Sequence, residues 1–361
     1  MFTKKDSLAL KGIAILLMVF HHCFRTVDLF EGYTISFFPF NESIVVDLAL
    51  MGKICVSIFA FITGYGLYLS YGNKKSTPSR WALKRYVTTF SGFWVIFLII
   101  LVYKLIFSNS IQELLNEKGI VVGITNLVLD FLGLAKLLKT DSFINTWWYM
   151  STVLVLILIT PFIFKLINKY SWLTLITSLL LLRVILAQNE EGSFTGPNSV
   201  YAFIPVFILG AIFAKLNLFE KWMKFCNKGF PRIIKVICEI GIILICCFIY
   251  TKLPLDTFWG CRFCIIPAFI ILFCVENIIQ IKYVRTVLMF LGKHSMNIYL
   301  IHNFIRAILK NYIYACKHFA LIVLVLLLVS LAFSVILELI KKLVKYNDGI
   351  TRLCNFIEKK Q

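Results

Sequence analysis

Apolar runs of about 20 residues recur from one end of the sequence to the other. As a helix, a run of that length crosses the roughly 30 Å hydrocarbon core of a bilayer. A transmembrane barrel would instead show alternating segments of about 10 residues. Of the 361 residues, 60% are hydrophobic and only 15% charged, where a soluble domain carries about a quarter charged. The chain reads as all-α, a polytopic membrane protein with about ten transmembrane helices and a partial or re-entrant segment near 119–138.

The expected spans are 7–25, 44–70, 85–107, 146–167, 171–188, 199–215, 233–251, 259–280, 294–313 and 317–341. Their connections then alternate sides, and the charges sort with them. One side collects most of the 37 lysines and arginines, among them Lys4, Lys5, Lys74, Lys75, Arg80, Lys84, Arg85, Lys221, Lys224, Lys228, Lys282 and Lys342. The other collects Asp28, Glu31, Glu42, Asp141, Glu190, Glu191 and Asp256. The positive-inside rule makes the basic side cytoplasmic, with both termini there, in the cell (plasma) membrane. The net charge of +19 is thereby read as a topology signal, with membrane lipid and not nucleic acid as its partner. Residues 108–145 are apolar in places but broken by Gly119, Gly123, Asp130 and Gly133. As a full span they would reverse the sides of everything that follows. Residues 1–342 form one membrane domain, and 343–361 a basic cytoplasmic tail expected on the anionic leaflet. The N-terminal run resembles a signal peptide but lacks a small-residue cleavage site, so it is expected to stay as the first helix.

The 11 cysteines, mostly within spans, read as small buried hydrophobes. Cys261 and Cys264 have CxxC spacing without a second pair or a nearby histidine, so no metal and no disulfide framework is expected.

Ionisable groups at membrane depth cost about 2.5–3.5 kcal/mol each on insertion scales and by default mark a cavity or a pathway. Lys104, Arg183 and Glu338 sit near span ends and can snorkel. Glu276, near the cytoplasmic end of its span, is expected to be solvated, and Asp47 and Lys53, near the outer start of the second span, to be partly hydrated. The first helix is more informative. Lys11 and His22 are eleven positions apart, which is three turns plus about 20° and about 16 Å along the axis. One face therefore carries a cation near the cytoplasm and an imidazole in the outer half. His21 points about 80° away from Lys11. A cation can hold an anionic donor, and an imidazole can take a proton from a hydroxyl arriving from the other side. That pair suits group transfer across a membrane.

These residues also carry a resemblance. "LKGIAILLMVFHH" resembles the first helix of the acyltransferase 3 family, with Lys11, Gly12, Ile13 and His22 on its pattern. "CVSIFAFITGYGLYLS" (55–70), "LKRYVTTF" (83–90), "WWYMSTVLVLILITPFIFKL" (147–166) and "LGKHSMNIYLIHNF" (291–304) resemble later family segments in the same order. The resemblance implies an integral-membrane O-acyltransferase. Its donor would be acetyl-CoA or another acyl-CoA, and its acceptor a hydroxyl of a surface carbohydrate or lipid-linked sugar. His22 would be the catalytic histidine and Lys11 its basic partner. Lys11 stands where the family has arginine, which loses the planar fork, and Ser91 where it has proline.

Around that pair, Lys84 and Arg85 form a basic cluster that reads either as topology signal or as a cradle for the CoA phosphates. His302 lines the cavity or makes a structural hydrogen bond. Trp148 and Tyr149 belong to an interfacial aromatic belt or stack on a sugar ring. His22 acts as general base or carries the acyl group briefly. Two other readings share these charges: a transporter or flippase for a polar lipid or sugar, though no internal repeat is visible, and a non-catalytic relative of the enzyme.

Overall fold

A computed structural model describes residues 2–73, 76–108, 111–112, 117, 119–188, 199–226, 231–252 and 261–359. Lys74, Lys75, Glu190, Glu191, Lys228 and Asp256 lie outside them. The described residues form helices and one isolated bridge, Ser36 with His318. In chain order the helices begin with α1 (Lys4–Phe24), α2 (Glu42–Met51), α3 (Ile54–Gly72), α4 (Pro78–Phe107) and α5 (Ile120–Phe131). Next come α6 (Trp148–Tyr170), α7 (Trp172–Gln188), α8 (Ile204–Leu216), α9 (Leu218–Cys226) and α10 (Arg232–Lys252). A π-helical turn (Cys261–Ile265), α11 (Ile266–Phe273) and a second π turn (Cys274–Ile278) follow as one wide helix. The chain continues through α12 (Lys282–Lys293), α13 (Ser295–Ile308), α14 (Lys310–Tyr314), α15 (Phe319–Leu343) and α16 (Tyr346–Lys359).

Among the described residues, six segments are long and apolar enough to cross a membrane: Lys4–Phe24, Glu42–Gly72, Pro78–Phe107, Asn145–Tyr170, Ile233–Lys252 and Phe319–Leu343. The protein is an all-α, polytopic membrane protein. The spans expected at 171–188, 199–215, 259–280 and 294–313 coincide with α7, α8, the wide helix around α11, and α13 with α14, which are shorter or interrupted.

Two glycine crossings fix the core. At the first, α12 lies across α1: a Cβ at Gly12 would stand 2.1 Å from the Leu288 carbonyl oxygen, and one at Gly292 1.8 Å from that of Leu8. At the second, α3 meets α8, where Cβ atoms at Gly64 and Gly210 would stand 2.0 and 2.1 Å from the carbonyls of Phe207 and Phe61. In lipid, helices associate through such backbone contact, because burial of apolar surface gives no driving force there. Arg285 on α12 adds an ion pair to Asp6 at 2.5 Å, and the Asp6 carboxylate also accepts the Thr3 N–H at 2.8 Å, closing a capping box at the start of α1. The stretch expected as one span over 44–70 is broken between α2 and α3 at Gly52. A Cβ there would stand 2.7 Å from the Leu17 carbonyl oxygen, so the break is seated on α1.

The segment after α4 matches the expectation of a partial element. α5 has 12 residues and buries only Gly123 and Asp130. It leans on α4, where the Trp94 indole N–H donates to the Phe131 carbonyl (3.0 Å) and the two rings stack. The Asp130 carboxylate accepts the Phe143 N–H at 2.6 Å and turns the chain back toward α6.

One expectation changes. The Glu276 side chain is largely out of solvent, at 8% exposed: it pairs with Lys235 and accepts the Trp222 indole N–H at 2.9 Å. Asp47 keeps the expected partial hydration, its side chain 27% exposed while it pairs with Lys252 at 2.6 Å. The tail is helical as α16, which lays itself on α4 with Cys354 buried and the Tyr346 hydroxyl donating to the Ser91 carbonyl at 3.0 Å.

Candidate active site

The face of α1 predicted to carry Lys11 and His22 borders two cavities. One, of about 380 Å³, is lined by His21, His22, Arg25, Trp148, Tyr149 and Tyr299 among others. The second, of about 360 Å³, is lined by Ser7, Lys11, Thr63, Arg85, Tyr149 and Tyr299 among others. Phe59, Tyr149 and Tyr299 line both. The cavities therefore approach each other end to end across a thin aromatic wall.

The two adjacent histidines do different work. The Nδ1–H of His21 donates to the Ala49 carbonyl at 2.8 Å and ties α1 to α2; a carbonyl can only accept, which sets that tautomer. His22 has no hydrogen-bond partner among the described residues. Its ring centroid lies 4.9 Å from that of His302, and the rings are tilted by 46°. His302 is fully buried, and its Nδ1 donates to the carbonyls of Tyr299 (2.8 Å) and Ile298 (3.1 Å). Its Nε2 is thereby left as a lone-pair acceptor, buried and without a partner.

The aromatic wall is held from α13. The Trp147 indole N–H donates to the Leu300 carbonyl at 2.9 Å, and the Tyr299 hydroxyl to the Thr146 carbonyl at 2.7 Å. These bonds fix the first turn of α6, and with it Trp148 and Tyr149. Tyr149 meets Tyr299 edge to face at 6.0 Å, and its own hydroxyl is buried without a partner. Trp148 lines the His22 cavity with the Lys53 ammonium 5.5 Å from its ring centre.

On the basic side, Lys11 makes no hydrogen bond or ion pair among the described residues. Arg85 lines the same cavity, donates to the Ser70 hydroxyl and lies 5.6 Å from the Trp81 ring centre. Lys84 does not join them: it pairs with Glu358 of α16 at 2.7 Å. Lys11 and Arg85 thus share one cavity, His22, Trp148 and Tyr149 share the other, and His302 supports it from behind.

Sequence reasoning missed the cations of the His22 cavity: Arg25, Lys136 and Arg306 line it with Lys53. A signal existed. Arg25 follows His22 by three positions and Arg306 follows His302 by four, and such spacings share a helix face. Among the described residues, no group of three or more His, Cys, Asp or Glu side chains could hold a metal ion.

A family model described as an acyltransferase domain matches residues 8–339. The chain belongs to the acyltransferase 3 family. This membrane-embedded family member returns no match in a comparison with curated proteins and none in one with solved structures. Its matched region holds every helix that borders the two cavities.

Proposed function

We propose that this acyltransferase-family protein moves an acyl group, most simply acetyl, from acyl-CoA on the cytoplasmic side to a carbohydrate hydroxyl presented on the other side. The single observation that carries the reading is the pair of cavities that meet at Tyr149 and Tyr299, with Lys11 in one and His22 in the other. The basic side is cytoplasmic by the positive-inside rule. Ten crossings, six long and four short or interrupted, keep the basic connections together there.

The donor's thioester arm enters the Lys11 cavity, whose mostly apolar wall suits an extended organic chain. Lys11 and Arg85 supply the positive charge for its phosphates. Lys84 is engaged by Glu358 and serves the fold. The acceptor hydroxyl enters the other cavity, where Trp148 offers a face for a sugar ring.

His22 takes the hydroxyl proton as the oxygen attacks the thioester carbonyl carbon. The carbonyl pair moves onto oxygen, and the buried Tyr149 O–H donates to that oxyanion. On collapse the C–S bond breaks, and the imidazolium returns the proton to the departing thiolate. In this reading the unpartnered Nε2 lone pair of His302, whose ring lies 4.9 Å from that of His22, accepts the His22 N–H when substrate binds and leaves the other His22 nitrogen free as base. This is the role a third group plays in hydrolase triads.

The test is acetyl-CoA turnover by the full chain in membranes, read as free CoA thiol and as added acetyl mass on the envelope glycan. His22→Ala should remove both while the protein inserts to the same level. Full turnover by that variant would overturn the assignment. Two cavities that share an aromatic wall also suit a flippase for a polar lipid or sugar, and such a protein would release no thiol.

A further inference from the structure

The His22 cavity lies on the side of the membrane where the connections are rich in acids, yet its wall carries Arg25, Lys53, Lys136 and Arg306 against one carboxylate, Asp141. The topology rule does not account for them, since it places excess cations on the opposite side. Nor does the fold use all the charge of the two arginines. The Nε of Arg25 is buried without a hydrogen-bond partner, and Arg25 forms no ion pair among the described residues. Arg306 spends its Nε and one Nη on the neutral Asn303 side chain, at 3.3 and 3.0 Å. Guanidinium and ammonium groups that are partly out of water need countercharge, and a neutral sugar brings none.

We infer that the acceptor carries phosphate-ester charge beside the hydroxyl that His22 activates, so that the preferred substrate is a phosphorylated sugar or polyol. This rests on the acyl-transfer reading for the word acceptor, but not for the binding site. Phosphate fits better than a sugar carboxylate because the excess of cations exceeds one, which a single carboxylate leaves largely unmatched. The cavity, at about 380 Å³, has room for a sugar-sized unit with one such group. His22 and the cations share one wall through the spacings His22 to Arg25 and His302 to Arg306. The phosphate and the reactive hydroxyl would therefore be neighbours on the same unit.

The experiment uses the full chain in phosphatidylcholine nanodiscs, with sn-glycerol 3-phosphate and inorganic pyrophosphate as probes in a direct titration. Saturable binding is expected, weakened at least tenfold in Arg25→Gln and in Arg306→Gln and largely retained in Arg25→Lys. The lysine variant guards against simple misfolding. Displacement of pyrophosphate by phosphatidylglycerol placed in the disc supports the proposal and assigns the phosphate to a lipid-borne acceptor; persistence of binding assigns it to a free or polymeric one. No saturable binding, equal binding in all variants, or loss only in Arg85→Gln, which would put the probe in the donor cavity, each overturns it. No acyl transfer is involved in these titrations, so they stand or fall apart from the His22→Ala result. If both hold, acetyl transfer to glycerol 3-phosphate should exceed transfer to glycerol at least tenfold in kcat/KM.

Discussion

The two cavities are nearly equal in size, about 360 and 380 Å³, and opposite in character. The Lys11 cavity is walled by Ile62, Leu67, Met150, Val153, Ile157 and Met296, with its charge confined to Lys11 and Arg85. The His22 cavity is ringed by cations, hydroxyls and the one unbonded imidazole. A passage built only for ions would have no use for a long apolar half, and a lipid slot would have none for four cations. The contrast teaches that the two cavities offer different chemistry to whatever enters them, and that what they share is the aromatic wall of Phe59, Tyr149 and Tyr299.

The sharpest way to break that contrast is to exchange the two histidines. His22→Ala should lower turnover by about 10²–10⁴-fold, the range for loss of a general acid–base group, with unchanged insertion. His21→Ala should instead remove the buried hydrogen bond to the Ala49 carbonyl, which keeps only the Gly52 N–H, and cost about 0.5–1.5 kcal/mol of stability, read as a lower melting temperature in detergent with turnover reduced in proportion to folded protein. If the two variants lost turnover equally at equal stability, the division between them would be wrong.

Next is the wall. Tyr149→Phe keeps the ring and removes only the unpartnered hydroxyl, so kcat should fall by about 10²-fold, as for an oxyanion donor, while the donor KM stays put. A change confined to KM would make Tyr149 a binding group. Smaller effects are expected at the crossings. Gly64→Ala and Gly292→Ala each force carbonyl and methyl apart and should cost about 1–3 kcal/mol, visible as a lower melting temperature and reduced yield in membranes. On the donor side, Lys11→Met should raise the acyl-CoA KM and Lys11→Arg should not. Lys84→Gln removes a partly exposed pair worth at most about 1 kcal/mol, and the donor KM should not move. A matching rise in KM for Lys84→Gln and Arg85→Gln would return Lys84 to the donor cavity.

Lys11 and His22 were legible from spacing alone because a helix of 3.6 residues per turn puts both on one face whatever surrounds it. The partial element near 119–138 was legible because its glycines and Asp130 interrupt a run too short to span. The roles of His302 and Lys84 were not, since each depends on a partner far away in the chain: His22, 280 positions from His302, and Glu358, 274 positions from Lys84. The same holds for Glu276, whose burial follows from Lys235 and Trp222. The helix α12 falls between the expected spans 259–280 and 294–313 because Lys282, Arg285 and Lys293 break up its apolar positions; its contact with α1 rests on Gly12 and Gly292, which carry no hydrophobic signal at all.

By itself, then, the sequence determined the solvent this protein lives in and the shared face of Lys11 and His22, because apolar run length and helical period are local properties of a chain. Only the tertiary structure decided which histidine is free, which cations surround it and where the two cavities meet. Those depend on which backbones can touch, and contact between distant segments is set by packing, which no local pattern encodes.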